Sequence, residues 1–326
     1  MRYLARRLFF YLIALWASIT LNFALPRAMP GDPAMALLAK LGPSLANQPN
    51  ALQVVETEMG VSKDPLLVQY WHYLVNLAHG DLGTSYGMSE PVTQIIRDTL
   101  PWTLFLVGLA SFISFIVGTL IGVYCAWRRG GIADSILVPA TAVCAAFPPF
   151  FLALILAYYV GTLAGWLPNT GSYASLAGPN LSLSFIGDML YHAILPAIAL
   201  VIASVGGWLI GMRNAMINTL AEDYVTMATA KGLRDRRVMI WYAARNAILP
   251  QVTSFAMVLG FAVGGQVVIE YVFNYQGIGF QLVNAVGQQD YPLIQGVLLV
   301  ITVAVLVANF AADLLYARLD PRVRRR

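Results

Sequence analysis

The sequence predicts an all-α polytopic membrane protein of six transmembrane helices, with an extracytoplasmic insertion after the first and a cytoplasmic loop between the fourth and fifth. Three observations carry that reading. Of 326 residues, 59% are hydrophobic and 11% charged, against about a quarter charged in a soluble domain. Uncharged windows such as the 29 residues between Asp98 and Arg128 exceed the roughly 20 that a spanning helix needs. The basic residues also segregate by loop: sixteen of the twenty lie in the N-terminus, Arg128–Arg129, Arg213–Arg245 and Arg318–Arg326, leaving Arg27, Lys40, Lys63 and Arg97 opposite. Basic loops stay cytoplasmic, so both termini are expected there. The same partition removes the nucleic-acid reading that a net charge of +4 invites.

Spans are expected at about 8–26, 101–127, 135–164, 190–212, 251–272 and 293–316. The apolar run after Arg2, Arg6 and Arg7 is long for a signal peptide and no prompt cleavage site follows, so 1–26 reads as an uncleaved first helix. Residues 27–100 form the extracytoplasmic segment, too long for a simple connection. Within it, Asp64–Ala78 has helical spacing. Leu67, Tyr70, Trp71, Leu74 and Ala78 form an apolar face that suits a membrane surface, a partner or a small domain of the chain's own. Val92, Ile95 and Ile96 repeat the pattern before Pro101, which is expected to open the second span.

Residues 101–326 form a five-helix core. Pro148 and Pro149, flanked by Phe147 and Phe150, remove two backbone donors inside the third span, which should bend or break there. Such breaks border pathways and also serve architecture. Glycines four apart, at 118/122, 161/165, 207/211 and 260/264, together point to close helix packing. Cys125 and Cys144 fall in spans and read as small apolar residues.

Several chemical motifs fail on context. Gly83-Thr84-Ser85-Tyr86-Gly87 spells the G-x-S-x-G of a nucleophile elbow but lacks the strand before and helix after that the serine needs, so a turn is expected. His72, His79 and His192 have no metal-ligand spacing, and no metal site is expected. Glu270 and Asp313 lie near span ends, where a carboxylate reaches water. Glycine is nowhere followed by lysine, so the chain has no phosphate-cradling loop, and ATP, if used, binds another chain.

Thr219–Pro250 is the one long basic polar stretch between apolar spans. Thr219 and Glu222 fit a capping box, Tyr224–Ala230 continue a helix, and Lys231 with Gly232 ends it. A second helix from about Asp235 carries Arg236, Arg237 and Arg245 to Pro250. A basic surface helix on anionic lipid is one reading, but the first helix is small and apolar rather than cationic, a shape suited to a protein groove.

Tyr224–Gly232, YVTMATAKG, followed by Leu249-Pro250, resembles the EAA loop of bacterial ABC importer permeases. With PGDP at Pro30–Pro33, GDLGTS at Gly80–Ser85, Leu195-Pro196, QGIG at Gln276–Gly279 with Asp290, and DLLYARLDPRVR at Asp313–Arg324, the chain is similar to the oligopeptide and dipeptide branch. Thr226, Met227 and Ala228 stand where the motif has Glu-Ala-Ala, and the Leu-Pro lies further from Gly232 than in the general pattern.

The resemblance implies a transport subunit, not an enzyme, in the bacterial inner membrane. It implies a heterodimer with a second permease subunit, two ATPase subunits or one fused ATPase, and an extracytoplasmic substrate-binding protein. No cofactor is expected on this chain, with ATP and Mg on the ATPase partners. Residues 213–250 become the coupling loop, with Tyr224, Thr226, Met227, Ala228, Lys231, Gly232, Leu233 and Arg234 meeting the ATPases. For the pathway, Phe147, Pro148, Pro149, Gly260, Gly264, Gly265 and Gln266 combine a helix break with small residues and one polar group. Family relatives carry nickel, glutathione or short saccharides as well as peptides. An ion-coupled secondary transporter would need an internal repeat and a buried coupling-ion site, and neither is visible.

Overall fold

A computed structural model describes residues 2–28, 64–174, 178–180, 182–264 and 266–319, with the backbone alone at 2–6, 8, 261, 263 and 312–319. The helices are α1 (Arg2–Ala28), α2 (Leu66–Ala78), α3 (Val92–Trp127), α4 (Ile132–Ala146), α5 (Pro149–Leu156) running into a π-helical turn (Ala157–Leu163), and α6 (Leu183–Leu220). There follow α7 (Asp223–Ala230), α8 (Asp235–Arg237), a π-helical segment (Val238–Ala244) and α9 (Arg245–Ala247). The chain continues through α10 (Leu249–Phe261), a 3-10 turn (Ala262–Gly264), α11 (Val267–Val272), α12 (Ile278–Gln288) and α13 (Tyr291–Leu319). Among the described residues the only strand-like pairing is a single bridge between Thr84 and Pro91. A backbone in hydrocarbon must satisfy its own polar groups, and helices do so within one segment.

Phe9–Ala28, Val92–Trp127, Leu183–Leu220 and Tyr291–Ala311 are each long and apolar enough to cross a membrane, and Ile132–Ala146 with Pro149–Leu163 makes a fifth if counted as one bent span. That pair is bent by 94° at the expected proline break. Phe147 is extended and Pro148 lies at φ −56°, ψ 136°, outside the helical region, so the ladder stops and restarts with Pro149 in the first turn of α5. The expected fifth span is not one helix. α10 has 13 residues and gives way to the 3-10 turn before α11 begins.

Of the span boundaries that differ from the sequence reading, two follow from packing. The second long helix opens at Val92, with Pro101 inside it. Val92, Ile95 and Ile96 are buried against Ile278, Ala285, Leu293, Ile294 and Val297, and this packing carries the helix upstream of the proline. The fourth expected span continues past Arg213 to Leu220, because Met212 and Met216 are buried against Ala126, Ala243 and Ala247. At 38 residues it extends about 57 Å at 1.5 Å per residue, well beyond a hydrocarbon core. Its start is capped by Ser182, whose Oγ accepts from the Phe185 N–H.

The chain forms two compact units. In the first (Met1–Trp102, Val263–Val267 and Gln276–Arg326), α1 packs along α13, and α12 folds back on α13. The G-x-S-x-G stretch is a turn that opens with Gly83 at positive φ, as is Gly80 three residues before it. Ser85 is 2% exposed, and its Oγ donates to Asp290 Oδ2 at 2.5 Å. The Gly87 N–H donates to the same oxygen, and Oδ1 takes the Leu293 N–H, so Asp290 caps α13 while pinning the turn. Burial, reinforced by the Asp290 charge, pushes the Tyr86 phenol up to about 12. A serine so enclosed is a structural anchor.

In the second unit (Thr103–Ala262 and Val268–Tyr275), α4 and α5 pack on α6. The 118/122 glycine pair marks a close approach of α3 to α6. A Cβ at Gly118 would stand 2.6 Å from Trp208 Cβ and 2.7 Å from the Val205 carbonyl, and one at Gly122 would meet the Leu209 carbonyl at 2.6 Å. The other pairs do not repeat this: Gly207 faces open space, Gly161 meets Asn169 in a loop, and Gly211 meets the Gln251 side chain. Phe115 stacks on Phe255 at 4.5 Å between centroids and meets Trp208 edge-on. Glu270, expected to reach water, is fully buried, because it lies with Ile269 on the inward face of α11 while Val268 and Tyr271 are exposed on the other.

At the end of α3, Arg213 Nε donates to Asp134 Oδ1 at 2.6 Å and its terminal nitrogen to Oδ2 at 2.9 Å, while the Gly130 N–H donates to Oδ2. This bidentate fork ties α6 to α4 and to the Arg128–Gly131 turn. Removing Arg213 leaves the buried Asp134 carboxylate without its counter-ion. Arg213→Ala is therefore expected to lower stability by about 3 kcal/mol, and Asp134→Ala/Arg213→Ala by less than the sum of the singles. Thermal unfolding of the detergent-purified variants measures this, and simple additivity would show that the pair is not coupled.

Candidate functional site

Thr219 does not cap the short helix. It lies inside α6, and its Oγ1 donates to the Ala215 carbonyl four residues back. Glu222 takes the cap position in extended conformation, with no side-chain capping bond, and its carbonyl accepts from Val225 and Thr226. The capping-box spacing fails because burial of Met216 keeps α6 helical through Leu220.

The expected stop is present. Lys231 is the C-cap of α7, and Gly232 adopts φ +72°, the left-handed conformation that glycine takes without a Cβ penalty. The Gly232 N–H returns to the Thr229 carbonyl at 2.9 Å. After a two-residue turn, Arg234 caps α8.

α7 has two faces. Val225 and Ala228 are buried with Val238 beneath Trp127, Leu220, Leu233 and Tyr242. Tyr224, Thr226, Met227, Ala230, Lys231 and Gly232 are exposed. The sequence reading put Ala228 on the contact surface. The structure turns it inward, where its small side chain lets α7 lie close on the following segment. Leu233 is half-buried in the same cluster, and Arg234 is exposed. Asn246, not singled out from sequence, donates from Nδ2 to Tyr224 Oη at 2.9 Å and to the Tyr242 carbonyl at 3.0 Å. It fixes the phenol of an otherwise exposed residue.

The segment beneath α7 is π-helical over Val238–Ala244, with Val238 and Ala243 buried and Trp241 exposed. Single π turns inside helices recur at functional positions, and no apolar periodicity announces this one. The arrangement offers an exposed knob of small and medium side chains on a rigid base, with no nucleophile, base or metal-ligand grouping among its described residues. Its chemistry is that of a contact surface.

The residues expected to line a pathway are spread over both units. Phe147, Pro148 and Pro149 are exposed at the α4–α5 break of the second unit, and Gly260 is half-buried in the last turn of α10. Gly264 ends the 3-10 turn in the first unit, 3.5 Å from the Ile301 side chain by its virtual Cβ, and Gln266 is exposed. Gly265 lies outside the described residues, as do Pro30–Pro33 and the end of the C-terminal motif from Asp320. A groove of about 540 Å³ between α3 and α6 is lined by Leu109, Ile113, Leu190, Ile194, Ile198 and similar residues. It carries no charged group to hold a peptide terminus.

By architecture the chain is a multi-pass membrane protein, helical throughout its described elements, with a short exposed helix braced on its own chain after the long apolar α6. The chain belongs to the family described as the binding-protein-dependent transport system inner membrane component, which matches residues 118–325, and the N-terminal component of the same family matches residues 1–107. It is 34% identical over 323 residues to the oligopeptide transport system permease protein AppB of Bacillus subtilis, covering 98% of each chain. It is 32% identical over 324 residues to the glutathione transport system permease protein GsiC of Pectobacterium atrosepticum, covering 99% of each. A Brucella ovis protein provisionally named a peptide permease is 35% identical over 325 residues, again covering 99% of each. The chain is thus a permease component of an ABC transport system, a family of membrane subunits rather than catalysts, whose description implies a substrate-binding protein and ATPase partners.

Nothing lies within 4 Å of a Cβ added at Gly232, so its constraint is conformational alone. Gly232→Ala and Gly232→Val are each expected to cost about 1–2 kcal/mol, read as lowered unfolding midpoints. Unchanged midpoints would show that the turn rearranges freely.

Proposed function

We propose that this chain is the permease subunit of an ATP-driven peptide importer. It forms half of the translocation pathway beside a second permease subunit and takes its driving motion from ATPase subunits in trans. The observation that carries this reading is the two-faced α7. Its inner face is locked to its own chain by Val225 and Ala228, and its outer face presents Tyr224, Thr226, Met227 and Lys231. A rigid exposed helix of this kind suits insertion into a groove on another protein. A push on it is passed to the π-helical segment and on to α10.

The basic-residue partition supports a cytoplasmic position for α7 and for both termini. Two ATPase subunits, or one fused ATPase, would bind ATP and Mg there, and an extracytoplasmic binding protein would deliver substrate. Peptides are the favoured substrate class because the relatives' names include oligopeptide and glutathione permeases, glutathione being itself a tripeptide. In this reading the α4–α5 break at Phe147–Pro149 and Gly260 are the pathway candidates of the second unit, and Gly264, Gly265 and Gln266 those of the first. Closing and reopening of the ATPases then switches access between the two sides.

Met227→Asp tests the coupling surface. The side chain is exposed, so the unfolding midpoint should stay within about 0.5 kcal/mol of the parent, while co-purification of the ATPases and ATP-dependent uptake should fall together. Uptake by this variant at the parental rate would sink the coupling role. Cysteines placed at Phe147, Gly260 and Gln266 are expected to react with a membrane-impermeant thiol reagent in at least one nucleotide state. Protection in every state would remove them from the pathway. The ligand carried by the co-purifying binding protein decides the substrate class.

A further inference from the structure

The apolar face of α2 is unexplained by the transport reading. Three sides of this helix can be told apart. Gln69, Tyr70 and Tyr73 face α1: Tyr70 Oη and Thr20 Oγ1 are 2.7 Å apart, Phe23 meets the Tyr70 and Tyr73 rings at 5.1 and 5.6 Å, and Arg27 Nε donates to Gln69 Oε1. His72 and Asn76 form an exposed polar side. Leu67 and Trp71, one turn apart, form the third, 82% and 64% exposed.

Depth decides what meets that third side. Among the described residues α1 offers a candidate span at Phe9–Ala28, about 30 Å long and so of the order of a hydrocarbon core, with the charged Arg27 in its last turn. Thr20 lies seven residues before Arg27, about 10 Å further in. A helix whose Tyr70 is hydrogen-bonded at that depth cannot stand clear in water. On α1 itself, Leu21 and Leu25 are likewise exposed, on the next face round from Thr20 and Phe23.

We infer that α2 is an interfacial helix lying in the outer boundary of the bilayer beside α1, with Leu67 and Trp71 in contact with lipid and His72 and Asn76 turned to the headgroups. Tryptophan is suited to that boundary, having a large apolar ring and one polar N–H. α2 contains no Asp, Glu, Lys or Arg, so its attachment comes from apolar area and does not depend on anionic lipid. The helix thereby fixes the depth at which the turn from Gly80 to Ser85 leaves the membrane.

Site-directed spin labelling of the full chain in nanodiscs tests this, with Cys125 and Cys144 replaced by alanine. Labels at L67C and W71C are expected to be several-fold more accessible to oxygen than to a water-soluble nickel chelate, and a label at N76C to show the reverse order. The pattern should be the same in phosphatidylcholine alone and with added phosphatidylglycerol. Nickel access at Leu67 and Trp71 equal to that at Asn76 overturns the inference in favour of a water-facing helix. Low access to both reagents overturns it in favour of a protein partner. All three labelled positions are exposed, and the N76C label separates misfolding, which opens all three sites, from a true change of environment.

Discussion

A leucine leaving lipid to pack on another leucine gains almost nothing, so helices in a bilayer are held by close contact and by polar groups that have nowhere else to go. The second unit is built under that constraint. Gly118 and Gly122 bring α3 against the backbone of α6 with no room for a methyl group, and the Phe115–Phe255–Trp208 stack fills the flank. The Arg213–Asp134 fork then fastens the end of the same helix pair to the α4 turn. Packing sets how close the helices come, and the ion pair sets where along their length they stop.

The first unit is held by different interactions around the start of α3. Val92, Ile95 and Ile96 gather with Ile278, Leu293 and Val297 into an ordinary hydrophobic cluster, where burial of each such side chain is worth about 1.5–3 kcal/mol. Asp290 anchors the adjoining turn through Ser85 and Gly87. The proposed coupling helix works by a related division. Inward burial of Val225 and Ala228 gives it a fixed seat, and only a fixed seat lets an outward contact at Met227 transmit motion rather than absorb it.

Much of this was legible in composition and spacing. Span-length apolar windows, the helix stop at Gly232 and the break at Pro148–Pro149 are local statements, made by backbone chemistry within a few residues. The misreadings were all tertiary. Thr219 has the right spacing for a cap, but Met216 is pulled into a cluster and the helix runs on past it. Pro101 looks like a helix opening, yet packing of Val92 and Ile95 extends the helix upstream. Glu270 looked like a span end and is buried.

The sequence by itself determined that the chain is helical, crosses a membrane several times and carries a family-specific helix-turn-helix between apolar spans, because hydrophobic length, glycine dihedrals and proline's missing donor act locally. Only the tertiary structure decided that Ala228 faces inward while Met227 faces out, that Asn246 holds Tyr224, that Ser85 belongs to Asp290, and that α2 is moored to α1 at Thr20. The Asn246–Tyr224, Tyr70–Thr20 and Ser85–Asp290 pairings join residues 22, 50 and 205 positions apart, and no periodicity in a single segment encodes which distant side chain will occupy the other half of a contact.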